Sequence, residues 1–409
     1  MIPIQNPARP PHPFSLFNLG FRPFFLLAGA FAVVTILYWG GIYIYGWPAP
    51  RMAYSLSQWH AHEMIYGYAM AVVAGFLLTA VRNWTNLPTL TGLPLGGLAA
   101  LWLAARVVGL VMPQQLWLMA TLDGAFILFL SVALMQPIIR AKQKQQIGIL
   151  AKIVLLMLGN ALFYLGALGY LEQGIAWGLY TGLYLIISLL FVMARRVLPF
   201  FIERGVGYPV TLKNWVWVDR ASLVLLLLFL IAEVFLRWEG IAAVLAALLV
   251  VVHGVRLYGW HTPGIWRKPL LWVLFVGYAG AVFGFLLKAL TPVLELSPYL
   301  AVHAFALGGI SMMTVGMMAR VALGHTGRNL QEPIKGLSLI FYLLAAAFIA
   351  RVLLPLAAPA HYLIWLAFAQ AFWIAAYALF LFIYLPILIK PRVDGMPGKT
   401  LARIFRTKD

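Results

Sequence analysis

The chain carries eight histidines and no cysteine among its 409 residues. Lack of cysteine removes disulfides, thiolate ligands, iron–sulfur clusters, covalent c-type haem attachment and a thiol nucleophile together. A bound transition metal would therefore rest on histidine, on the 14 methionines or on the few carboxylates. The densest set of such groups is Trp59-His60-Ala61-His62-Glu63. On a helix, residues two apart point about 200° from one another, so His60 and His62 cannot chelate one ion together. They can serve two centres on opposite faces, or one can ligate while the other hydrogen-bonds. The same periodicity puts Glu63 on the face of His60 and Tyr66 on that of His62.

His303 and His325 are 22 residues apart, about 33 Å of helix, and cannot share a centre. His325 belongs to a Gly324-His325-Thr326-Gly327-Arg328 turn, and His253 and His261 are expected at the same membrane face. Those three define a candidate inner site, against the plainer reading of loop histidines bonded to their surroundings. Met312, Met313, Met317 and Met318 have the softness Cu(I) favours, but methionine in a membrane helix is more often packing.

The elements that hold these residues follow from composition. The chain is 64% hydrophobic and 10% charged, with a mean hydropathy of +0.93, which excludes a soluble globular protein. Apolar runs of about 20 residues mark twelve transmembrane helices: Gly20–Tyr45, Leu56–Val81, Pro94–Met112, Leu116–Ile139, Ile147–Leu171, Ile175–Met193, Val216–Leu236, Ile241–Leu257, Leu270–Ala289, Pro298–Val321, Ile334–Leu354 and His361–Ile389. Of the 29 Lys and Arg, all but Arg51, Arg106, Arg237, Lys288 and Arg351 fall on the side holding both termini, which the positive-inside rule makes cytoplasmic. The formal charge of +18 reads as basic loops facing anionic lipid rather than nucleic acid, since only the tail is densely basic. The expected organisation is an all-α integral membrane protein with no extramembrane domain: a cytoplasmic segment 1–19, a membrane domain 20–389 and a basic tail 390–409. The Pro-rich start lacks a cleavable signal pattern. The longest loop, Arg195 to Trp215, is expected to hold a short surface helix around Pro199–Glu203.

Ionisable groups inside a bilayer are costly and mark function by default. With this orientation His60, His62, Glu63, Arg106, Asp123, Glu233, Lys288, His303, Arg351 and His361 all fall in the outer leaflet. Their convergence predicts a site there.

Several strings resemble the NnrS family of bacterial membrane proteins. They are Trp59-His60-Ala61-His62-Glu63-Met64, Gly75-Phe76-Leu77-Leu78-Thr79-Ala80-Val81 with Asn83-Trp84-Thr85, and His303-Ala304, Arg320 and Ala322-Leu323-Gly324-His325-Thr326-Gly327-Arg328. The resemblance runs from about Phe21 to the twelfth helix. It implies twelve spans in the bacterial inner membrane, haem b and copper as cofactors, and a role in nitric oxide metabolism and nitrosative stress. His60, His62, His303 and His325 match the family strings as candidate metal ligands, with His253 as a further cofactor-binding candidate. Phe275 stands where many relatives carry a histidine.

The expected function is binding, detoxification or reduction of nitric oxide. Two molecules, two electrons and two protons give nitrous oxide and water. Glu63 and Asp123 would relay protons, Arg106 or Lys288 would pair with haem propionates, and membrane quinol would supply electrons. A twelve-helix secondary transporter and a non-catalytic sensor or scavenger are the competing readings.

Overall fold

A computed structural model describes residues 14–332 and 334–395. The outermost parts of both terminal segments lie outside the described residues. Among those described every regular element is helical, as an apolar solvent demands, because a helix satisfies its own backbone.

Eleven helices are long and apolar enough to cross a membrane: α1 Phe21–Tyr43, α2 Leu56–Thr85, α3 Leu93–Val111, α4 Leu116–Arg140, α5 Lys144–Ala167, α6 Gly174–Gly205, α8 Glu239–Trp260, α9 Pro269–Leu294, α10 Pro298–His325, α11 Leu337–Ala357 and α12 Pro359–Ile389. The remaining span, α7, is an α-helix over Val216–Leu230 that runs on as a π-helix over Ile231–Leu236. It is continuous through both segments, so twelve elements match the expected spans in order. Sequence chemistry sets their ends. Ser55 and Gln58 form a reciprocal capping box at the start of α2. Asn86, Arg237 and Glu295 adopt left-handed conformations that stop α2, α7 and α9.

One boundary differs from expectation. The segment Pro199–Glu203 is not a separate surface helix but the last turns of α6, which runs unbroken over 32 residues with Pro199 inside it. Tertiary packing overrides the proline signal here, since Leu198, Pro199, Ile202 and Gly205 are all buried.

The two ends of the described chain meet at one face. Arg22 Nη1 donates to the carbonyls of Leu388 and Lys390, each at 2.7 Å, and so caps the C-terminus of α12. Ser15 N donates to Ile389 O at 2.8 Å, while Val393 N reaches Thr326 O at 3.1 Å beyond α10. Small residues set the closest crossings. A Cβ on Gly174 or Gly178 would collide with the backbone of α5, and one on Gly280 with the backbone at Gly308 in α10.

Four spans contain π-helical stretches: Glu63–Ala69 in α2, Ile231–Leu236 in α7, Ala304–Ser311 in α10 and Ile349–Leu353 in α11. All lie toward the outer face, and each contains or directly follows an ionisable residue of the outer group: Glu63, Glu233, His303 and Arg351. Such π insertions cluster at functional positions because they re-aim side chains and free backbone carbonyls. In α2 the carbonyl of Gly67 accepts from Trp102 Nε1 at 3.1 Å as well as from Met70 N.

Candidate functional site

The ten outer ionisable groups separate into distinct clusters. The first is a closed polar network at the crossing of α2, α3, α4 and α5. Arg106 is its centre: Nη1 donates to Glu63 Oε2 at 2.9 Å and Nη2 donates to Asp123 Oδ1. The Tyr164 hydroxyl donates to Asp123 Oδ2 at 2.6 Å. His62 fills the gap between the two carboxylates. Its Nδ1 faces Glu63 Oε1 at 3.1 Å, its Nε2 faces Asn160 Oδ1 at 2.9 Å, and its ring stacks on Phe163 at 4.3 Å. His62, Glu63, Arg106, Asp123 and Asn160 are all buried. Burial of this much charge is tolerable because each group is paired and hydrogen-bonded. Tyr54, just outside α2, packs on Phe163; burial, reinforced by the nearby Glu63, pushes its hydroxyl well above the ordinary tyrosine range and keeps it neutral.

Glu63 therefore sits with His62 rather than on the face of His60. The backbone from His60 to Glu63 is ordinary α-helix, and the carboxylate is drawn to the neighbouring His62 imidazole and to Arg106 of α3. Tyr66 does lie beside His62, with ring centroids 5.1 Å apart. Its hydroxyl donates to Gly178 O at 2.6 Å and occupies the space that side chains at Gly159 and Gly182 would fill.

The second cluster is a cavity between α1, α2, α6, α10, α11 and α12, with about 740 Å³ of atom-free space, part of it open to the surroundings. Its walls are mostly apolar, and His60, His303, Arg351, Gln370 and Tyr68 bring polar atoms to it. His303 Nδ1 is tied to Tyr299 O at 2.7 Å. That bond fixes the tautomer and leaves Nε2 as the free nitrogen, the usual arrangement of a metal-ligating histidine. His60 Nδ1 and Gln370 Nε2 are buried without hydrogen-bond partners, and such groups call for an explanation. The Tyr68 hydroxyl contacts Tyr377 at 2.5 Å and Thr314 at 2.7 Å. Arg351 stacks over Tyr362 at 5.2 Å.

A haem fits this donor set. The walls are apolar, one imidazole is held by a backbone carbonyl, a second has an unpartnered nitrogen, and Arg351 supplies a cation for a carboxylate. Copper fits less well. Among the described residues no three histidine or carboxylate side chains stand at metal-binding spacing.

The other candidates lie elsewhere. Arg106 is outside the cavity, with both terminal nitrogens committed to carboxylates, so propionate pairing would fall to Arg351. Lys288 forms an ion pair with Glu233 at 2.5 Å, and neither lines the cavity. His361 is exposed beside Trp365. The inner histidines do not assemble. His253 is fully buried, with Nδ1 at 2.5 Å from the Tyr278 hydroxyl and Nε2 at 3.1 Å from Ser222 Oγ, and its ring is stacked on Phe191 at 3.9 Å. His261 accepts from Trp266 Nε1 at 3.2 Å, and Phe275 packs against both rings. His325 leans on Phe21 at 5.8 Å. Of the four methionines on α10, Met313 and Met317 line a separate apolar cavity between α2, α6 and α10.

Sequence reading missed Asn160, Tyr164, Tyr68 and Gln370. Asn160 and Gln370, amides within apolar spans, were the available signal.

No curated protein matches the chain. The model of the NnrS protein family matches residues 15–392, a stretch that includes all twelve spans described above, and on that match the chain belongs to the NnrS family.

Proposed function

We propose that this protein is a haem-containing nitric oxide-binding membrane protein, and that the outer cavity is where nitric oxide is bound and reduced to nitrous oxide. Family membership links the chain to nitric oxide. The observation that carries the finer reading is the pairing of His303, oriented by Tyr299 O, with the unpartnered His60 in one apolar cavity. When bound, haem would supply an iron that holds nitric oxide and passes electrons to it.

The chain's own contributions follow from the residues. His303 would hold the iron through Nε2, and His60 would present a second imidazole to the cavity. Arg351 and Gln370 would receive the propionates. Apolar walls admit nitric oxide, which is small and uncharged, directly from lipid while restricting water. Tyr68 lines the cavity with its hydroxyl bonded to Tyr377 and Thr314. The reaction balances as two nitric oxide, two protons and two electrons giving nitrous oxide and water, with membrane quinol as the electron donor and the bacterial inner membrane as the location.

In this reading the Arg106 network is a buried scaffold that orients α2, and with it His60. Glu63 and Asp123 are locked on Arg106, so proton delivery through them requires those bonds to rearrange.

Absorption spectra of the purified protein, reduced and then exposed to nitric oxide, test the binding. Gas analysis under turnover with a quinol tests the reduction. A colourless protein after expression with ample iron defeats the proposal; a haem spectrum that shifts with nitric oxide but yields no nitrous oxide reduces it to a binding role.

A further inference from the structure

At the cytoplasmic face, remote from the outer cavity, the inner ends of α6, α9 and α10 and the turn after α10 border a small crevice. Arg320 lines it, about a turn and a half before the end of α10. Its guanidinium carbon lies over the Phe201 ring, 3.9 Å from the centroid. The buried or half-buried Arg106, Arg195, Arg256 and Lys288 each meet a carboxylate, whereas Arg320 has neither an ion pair nor a hydrogen bond among the described residues. A cation at this depth calls for a counter-charge.

Three further features suit the crevice to an anion. Lys268 lines it and is the N-cap residue of the 26-residue α9, so a basic residue and the positive end of a long helix dipole lie beside the same space. Gln331 adds an amide. No carboxylate is among its described lining residues; Glu203 accepts from Leu212 N at 3.0 Å, and Glu332 is exposed in the turn beyond. The remaining lining, Leu270, Leu271 and Leu330, is apolar. A phosphate joined to acyl chains satisfies both halves of this lining. Guanidinium and phosphate pair in a bidentate manner, and basic pockets between helices on the cytoplasmic side select anionic headgroups.

We propose that this crevice is a binding site for the phosphate of an anionic phospholipid, held by Arg320 and Lys268 against the start of α9. The proposal is independent of the outer cavity and of what that cavity does.

The test uses the full-length protein, purified in detergent and delipidated. Its thermal unfolding midpoint is followed on addition of dioleoylphosphatidylglycerol, dioleoylphosphatidylcholine or sodium phosphate. Phosphatidylglycerol should raise the midpoint saturably by about 3 °C or more, with phosphatidylcholine and phosphate giving no shift. Arg320→Gln should abolish the response, and Lys268→Gln should weaken it at least threefold in half-saturating concentration. An equal shift with phosphatidylcholine, reproduction by phosphate alone, or an unchanged response in Arg320→Gln overturns the proposal. If Arg320→Gln does not fold, the Lys268→Gln titration decides alone, and a curve superimposable on the wild type refutes it.

Discussion

His60 and His62 are two residues apart on one helix and belong to different structures: His60 faces a cavity with its Nδ1 unpartnered, whereas His62 has both ring nitrogens bonded to Glu63 and Asn160. The division separates a group available to a ligand from one already spent on the protein.

His303→Ala should abolish haem binding, and His60→Ala should lower it by at least half in protein that remains folded. Pyridine haemochrome assays on purified variants measure this. His361→Ala, on the exposed outer turn, should match the wild type. Undiminished haem in both cavity variants would remove the basis for the proposed site.

Arg106→Gln leaves two buried carboxylates without their shared cation. The loss is expected to be about 3–5 kcal/mol, seen as a large drop in yield of monodisperse protein and in unfolding midpoint. The triple change Glu63→Gln, Arg106→Gln and Asp123→Asn should recover part of the loss, since no lone charge remains buried. A triple variant no better than the single one would show that the network is not held by charge pairing.

Gly67→Ala probes the π-helical stretch. An added Cβ would meet the Phe31 ring, Arg106 Nη1 and Glu63 Oε2, so the substitution should cost about 1–3 kcal/mol by overpacking. The expected reading is a lowered unfolding midpoint; an unchanged midpoint would mean that the π turn relaxes freely.

His253→Gln tests the inner histidines. Both nitrogens of His253 bond within the protein, so haem content per chain should stay constant while stability falls. Loss of one haem per chain in this variant would establish an inner site and contradict the arrangement described.

What the sequence determined is whatever a bilayer and a helical repeat dictate locally. A span must be apolar for about 20 residues, so the twelve elements and their order are legible, including α7, whose π-helical end completes its length. Helical periodicity likewise separates His60 from His62 before any neighbour is known. Tertiary structure decided the rest. Whether Arg106 met a propionate or a carboxylate depended on α3 crossing α2 and α4, a relationship between segments that no local pattern encodes. Glu63 turned to His62 because its carboxylate meets that imidazole and the Arg106 guanidinium brought by α3. Pro199 stayed inside α6 because burial of the flanking residues outweighed its missing hydrogen bond. The outer leaflet's ten ionisable groups were countable from the chain; their division into a locked network, an open cavity and a separate ion pair was set by which helices touch.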